Sequence, residues 1–547
     1  MTSLIYSRYR VITGLLVTGA LMLMGIGAII SLAITPMVGE PSASLWAAID
    51  SPRLLYSIKS AALQAALSVL GSICLAIPVS IAMARRRHWP AMSMLILSMS
   101  LAMVLPTTVA AMGLLAVWGR TGLLAQLCFG MCDVSIYGLH GVVLAHMMLN
   151  VPLAVRVMMP LLQAVPETKW RLCAHLGMTS RQRFFHVEWP AIRGVIPGLS
   201  SLIFLLCFTS FALVLMLGGG PAVTTLEVEI YSAIRFDFNL PAAAGLSLIQ
   251  FTLTAVVVAV GAACGGMMAP SVITSDPSAP DRFDLSRQDR VRDCLALTLA
   301  AMLILLPVGL IALNGINFGL PRLLSRPQFW DALVTSAHVA LISAVMVTVL
   351  ALVMAAAKAD LSLPHRWGRM AGARYLRVMM DQGVMLYLVI PSVVLGTAAF
   401  ILLRARGDVF GYAFGVVILA NTLMALPFAY RLLDVRITAL MARHDRLAAQ
   451  LGIRGMVRLR VLTLPSLRQD LGLIAGLSAA LSFGDLGVIA LFANADFRTL
   501  PWLLYQLSGK YAADEAHALA MLVMLLTVGL FLTARFVTDR ALRGRHA

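Results

Sequence analysis

A chain of 547 residues that is 60% hydrophobic and only 12% charged has too little charge to be a water-soluble globular protein, for which roughly 25% is usual. Its mean hydropathy of +0.89 calls for lipid as solvent, and apolar runs without the alternation of a barrel must be helices. The net charge of +17 does not require nucleic acid, because 32 of the 42 Lys and Arg fall in 1–10, 84–91, 155–195, 265–294, 358–377, 431–470 and 535–547, the asymmetry of a positive-inside membrane protein with both termini cytoplasmic.

After the basic lead at 1–10, residues 11–35 form an uncharged run. It is too long for a signal-peptide core and has no clear small-residue cleavage site, so it is expected to stay as the first helix. Residues 36–56 lie outside. The run 57–84 crosses inward and stops at Arg85-Arg86-Arg87, 92–118 crosses outward, and 138–160 returns past Asn150-Val151-Pro152, where a kink or break is expected. Residues 197–217 cross outward and end in Gly218-Gly219-Gly220-Pro221, a helix stop and turn. The stretch 225–239, with Glu227, Glu229, Tyr231 and Asp237, reads as an external surface helix, and 242–268 returns. A Ser-, Pro-, Asp- and Arg-rich linker fills 271–292. Helix seven is expected at 295–313, and helices eight to twelve at 333–357, 380–403, 411–432, 471–492 and 516–536. The fold class is all-α integral membrane, with twelve transmembrane helices as two parallel six-helix repeats. Its divisions are 1–55 (first helix and external loop), 56–268 (first transmembrane domain), 269–330 (linker and seventh helix) and 331–547 (second transmembrane domain and tail).

The repeat is explicit in two polar islands. Arg171, Leu172, Ala174, Leu176, Gly177 and Pro190 recur 275 residues later as Arg446, Leu447, Ala449, Leu451, Gly452 and Pro465. Pro152, Ala154, Arg156 and Arg183 pair with Pro427, Ala429, Arg431 and Arg458 at the same offset, ten identities in all. The leucines stand i, i+4 on one helix face, each Gly ends or turns that helix, and each Pro marks re-entry into the bundle. An ordinary basic loop has no reason to preserve face and turn together twice.

No Gly-x4-Gly-Lys-Ser/Thr loop occurs; the nearest fragment is Gly509-Lys510-Tyr511, so the chain is not expected to hydrolyse ATP. The His residues show no metal or catalytic grouping, and His175 reads as a helix-surface residue. Cys128 and Cys132 fall outside, where an oxidising compartment permits a disulfide, though coincidence is the simpler reading. No metal or cofactor is implied.

The Gly–thirteen–Pro pattern with Ala174 and Ala449 resembles the "EAA" loop of binding-protein-dependent ABC importer permeases, which forms a coupling helix seated in a separate ATPase subunit. The family Glu is Arg171 and Arg446 here, and its second Ala is Cys173 in one copy and Ala448 in the other. The resemblance therefore implies the docking geometry but not the family's salt bridge. The stretches 217–221 with Thr224-Thr225, 482–488 and 496–501 are similar to segments of the thiamine ABC transporter permeases of Gram-negative bacteria, a family of fused double permeases. That resemblance implies the type I ABC importer permease fold in the bacterial inner membrane, and thiamine with its phosphate esters as substrates. It also implies a periplasmic thiamine-binding protein, two copies of a cytoplasmic ATP-binding subunit, lipid contact and no nucleic acid. The substrate-path candidates are Asp485, its first-half counterpart Ser210, Asn150 and Tyr505. Asp485, an ionisable group in apolar helix eleven, either pairs with a neighbouring element or favours a cationic thiazolium near the external end of the path. Alternatives are the same machinery for ferric ion or a polyamine, and a major-facilitator-type secondary transporter. The Gly-rich signature that the last would carry after helix two is replaced by Ala84-Arg85-Arg86-Arg87-His88.

Overall fold

The computed structural model describes residues 2–38, 52–86, 89, 92–120, 122–127, 135–220, 223–263, 286–362, 372–453, 455–509 and 512–543. Cys128, Cys132 and most of the 271–292 linker lie outside them. Among the described residues there is no strand. Ten helices are long and apolar enough to cross a membrane, or up to twelve if two bent pairs each count as one span.

The first half comprises α1 (Thr2–Val38), α2 (Pro52–Arg85), α3 (Met92–Ala102), α4 (Thr107–Trp118), α5 (Leu139–Gln163), the short α6 (Glu167–His175), α7 (Ile196–Phe208), α8 (Ala212–Leu217), α9 (Leu226–Arg235) and α10 (Leu240–Ala263). The second comprises α11 (Arg287–Gly315), α12 (Pro327–Ser362), α13 (Ala373–Val389), α14 (Ser392–Arg404), α15 (Ala413–Gln450), α16 (Leu464–Gly484), α17 (Gly487–Phe492), α18 (Leu500–Ser508) and α19 (Ala513–Arg543).

Four spans expected as single helices are broken. The expected 92–118 divides into α3 and α4 before Pro106, and 380–403 into α13 and α14 before Pro391, with a bend of 92°. A proline drives the residue before it out of the α region, and Ile390 accordingly sits at φ −87°, ψ 109°. The other two breaks stand at counterpart positions: Thr209–Phe211 separates α7 from α8, and Asp485–Leu486 separates α16 from α17. Conversely, α5 runs through Pro152 and Pro160 without the expected break, as packed membrane helices permit. α11 begins at Arg287, ahead of the expected 295, because Ser286 and Asp289 form a capping box. Gly219 and Gly220 take φ of 74° and 80° after α8 ends at Leu217, the turn that their lack of a Cβ allows.

The halves are interlocked. α1 packs against α12, α13 and α14 of the second half, placing Val11 and Leu21 in that half's core with Met380 and Val384. Tyr387 donates its hydroxyl to the Leu21 carbonyl at 2.7 Å, and Arg10 meets Asp360 at 2.9 Å. A Cβ on Gly383 would lie 2.7 Å from Thr18, so the missing side chain is what lets α13 approach α1. α11 mirrors this on the other side, packing on α2, α3 and α4 with Leu297, Ala300 and Ile304 in the first half's core.

Candidate coupling islands and central cavity

Pro166 starts the first island. Its φ of −58° and ψ of 141° interrupt the chain after α5, and α6 follows. The helix ends in a Schellman turn: Gly177 stands at φ 59° and donates to the Ala174 carbonyl at 3.1 Å, while Met178 donates to Cys173 at 3.0 Å. In the second copy the position of Pro166 is taken by Met441, and α15 runs straight from the bundle through the island to Gln450. Its end repeats the first, with Gly452 at φ 67° and Ile453 donating to Ala448 at 2.9 Å.

Cys173 and Ala448 face inward in both copies and are buried. Leu172 and Leu176 are 57% and 62% exposed, and Leu447 and Leu451 are 54% and 65% exposed. Arg171, in place of the family Glu, pairs with Glu167 one turn earlier at 2.5 Å, an exposed contact of little energetic weight. Ala174 and Pro190 are exposed and Pro465 half-buried, while Arg446 and Ala449 lie in the helix, with their side chains outside the described set. After each island the backbone widens into a π-helical turn, Phe184–Glu188 and Leu459–Thr463, again 275 residues apart, and Pro190 and Pro465 sit in the first turn of the helix that follows. Arg183 and Arg458 precede these turns and are buried in both copies.

The first island is anchored by a buried charge cluster. Arg85, at the end of α2, contacts Glu188 at 2.8 Å, Asp293 at 3.2 Å and Asp289 at 3.5 Å; Arg86 contacts Asp293 at 3.1 Å, and Arg183 contacts Asp289 at 2.5 Å. The end of α2, the turn after the island and the start of α11 are thereby tied together.

Between the halves lies a cavity of about 570 Å³, lined by α3, α5, α15 and α16 together with Phe531 of α19. Arg156 and Arg431, counterparts in the repeat, both line it. At one end are Met103 and Val104, within the α3–α4 break, and Leu481, near the end of α16. Just beyond these residues, a Cβ on Gly484 would lie 2.8 Å from Pro106, so the two halves meet there backbone to ring.

The four sequence-predicted path residues lie elsewhere. Asn150 is buried and donates to Cys207 Sγ at 3.3 Å. Asn421 donates to Ser482, the counterpart of Cys207, at 2.8 Å. Tyr505 rests on Trp502 with ring centroids 5.5 Å apart. Ser210 and Asp485 occupy the two counterpart breaks, so Asp485 is not inside a continuous helix as expected: its Oδ1 accepts from the Gly487 N–H at 3.1 Å, a carboxylate at a helix start. Residues 225–239 also depart from the expected surface helix. α9 is packed between α10, α14 and α17, and Glu227 is fully buried. Neither Glu227 carboxylate oxygen, nor Asp485 Oδ2, has a hydrogen-bond partner among the described residues. Sequence reasoning missed Glu227, Pro106 and Gly484. Pro106 and Pro391 were readable as helix interruptions, whereas nothing local marked Glu227 as covered by the other half.

Apolar crossings in two register-matched halves, each carrying an island of the same face and turn, define the class: a multi-pass permease of the ABC transporter kind. No family model matches the chain. It is 36% identical over 486 residues to the thiamine transport system permease protein ThiP of Brucella suis biovar 1, covering 88% of this chain and 87% of the relative. It is 36% identical over 494 residues to the protein of the same name in Escherichia coli K12 (89% and 90% covered), and 34% over 498 residues to that of Haemophilus influenzae (87% of each). The chain belongs to the thiamine transport system permease family. Ferric-ion, polyamine and major-facilitator readings are not favoured by these relatives.

Proposed function

We propose that the chain is the pore through which thiamine and its phosphate esters pass from periplasm to cytoplasm, driven by ATP hydrolysed on a separate subunit. The observation that carries this reading is near-full-length similarity to thiamine transport permeases, joined to two islands whose exposed leucines await a partner. One ATP-binding subunit docks on each island, in contact with Leu172 and Leu176 or Leu447 and Leu451, so one chain takes two copies. Both termini face the cytoplasm, on the side of the basic segments. A periplasmic thiamine-binding protein docks outside, over the segments that follow α8 and α17.

ATP closes the two subunits, the islands move together, and the halves rock so that the path opens outward. Vitamin enters, and hydrolysis reverses the motion. Asp485, with Glu227 beside it on the neighbouring α9, gives the outer part of the path a preference for the thiazolium cation. A single positive charge moving inward gains about 2.3 kcal/mol per 100 mV. That limits potential-driven accumulation to roughly fiftyfold per 100 mV, so ATP coupling extends it and is required for an anionic ester. The test is uptake of labelled thiamine into proteoliposomes holding the chain with its ATP-binding and binding-protein partners. Accumulation should require ATP, and uptake that ignores ATP but collapses with the proton gradient would refute the reading.

A further inference from the structure

We propose that Arg156 and Arg431 form a phosphate-binding subsite in the cavity between the halves, holding the anionic tail of a substrate phosphate ester during its passage. The proposal rests on the transport reading above and adds to it a site for one class of substrate. Both arginines occupy the same register in their halves, on α5 and α15, and both line one cavity of about 570 Å³. A third arginine, Arg436, also lines it and meets Asp470 of α16 at 3.4 Å. No Asp or Glu is among the lining residues. The cavity therefore carries an excess of positive charge, which opposes a bare cation and attracts an anion.

The guanidinium is a planar fork that matches two phosphate oxygens, and the pseudo-symmetric pair offers one fork from each half. Arg156 donates to Ser100 Oγ at 3.3 Å, which holds its head against the α3 wall. The other walls are mainly apolar, with Leu153, Phe428, Leu477 and Phe531, and both arginines are exposed along them, open to an entering anion. The phosphate could equally belong to a lipid headgroup, since arginine near a membrane boundary commonly reaches for one. The chemistry is shared, and the experiment separates the sources.

Proteoliposomes containing the whole transporter are given labelled thiamine and labelled thiamine pyrophosphate in separate runs. In the double variant Arg156→Gln/Arg431→Gln, the ratio of pyrophosphate-ester uptake to free-thiamine uptake should fall about tenfold or more, and Lys at both positions should restore part of it. An unchanged ratio overturns the proposal, whatever happens to total uptake. Binding of inorganic pyrophosphate to the purified chain in phosphatidylcholine nanodiscs gives a second readout, expected to weaken by a similar factor in the double variant. Absent binding to the unaltered chain, or equal binding to both, also overturns it. Binding that disappears when phosphatidylglycerol is added, together with an unchanged uptake ratio, would assign the arginines to lipid headgroups and refute the substrate subsite. If pyrophosphate binds in an arginine-dependent way but no thiamine compound is transported, the functional reading fails and the anion site stands.

Discussion

Gly177 shows what a single position can decide. Its φ of 59° lies where a Cβ is disfavoured, yet a Cβ built there meets nothing within 4 Å. Backbone preference and crowding are therefore separable. Gly177→Asn should keep uptake close to normal, because Asn tolerates the left-handed region. Gly177→Val should lower uptake by about tenfold through a backbone cost of roughly 1–2 kcal/mol, with the chain still inserted; ATP-dependent uptake alongside membrane abundance measures both. This glycine was legible in the sequence because its partner 275 residues on carries the same turn. Asp485 was only half legible. Apolar neighbours on both sides made it look like a charge inside a helix, and hydropathy does not register a break that separates two apolar segments. Glu227 was misread for the opposite reason, since Glu and Asp in a polar-looking stretch suggest water, while α9 is in fact packed against the following α10 and against α14 and α17 of the other half.

The elements around the first island are fixed by charge as much as by packing. Removing the Arg85 side chain would leave Glu188, Asp289 and Asp293 buried without their shared partner. Arg85→Ala should therefore destabilise the fold by about 3–5 kcal/mol, seen as a lower melting temperature of the detergent-purified chain. The sequence marked Arg85 as part of the basic run that stops the second crossing. It did not reveal that the anchor closes on Asp289 and Asp293, because the linker's acidic residues look solvated until Ser286 is seen to start a helix there. Proline punctuation was more readable than it was read. Pro106, Pro166 and Pro391 each stand where one helix gives way to the next, whereas Pro152, Pro160 and Pro427 sit inside helices that continue. Burial does not separate the two groups, since Pro106 and Pro391 are buried like Pro152, Pro160 and Pro427.

At the scale of the whole molecule, the six-plus-six repeat was legible and the exchange of first helices was not, because α1 and α11 have the same composition whichever half they embrace. The exchange has a direct test. Fragments 1–268 and 269–547, expressed together with a tag on one, should co-purify, and removing residues 1–38 should weaken capture by on the order of tenfold or more. Recovery unaffected by that deletion would mean that the α1 contacts contribute little to cohesion. With α1 clasping one partner and α11 the other, parting the lobes means stripping a whole helix from each. On the transport reading proposed above, that clasp favours a swing about captive ends over a sideways parting of the lobes.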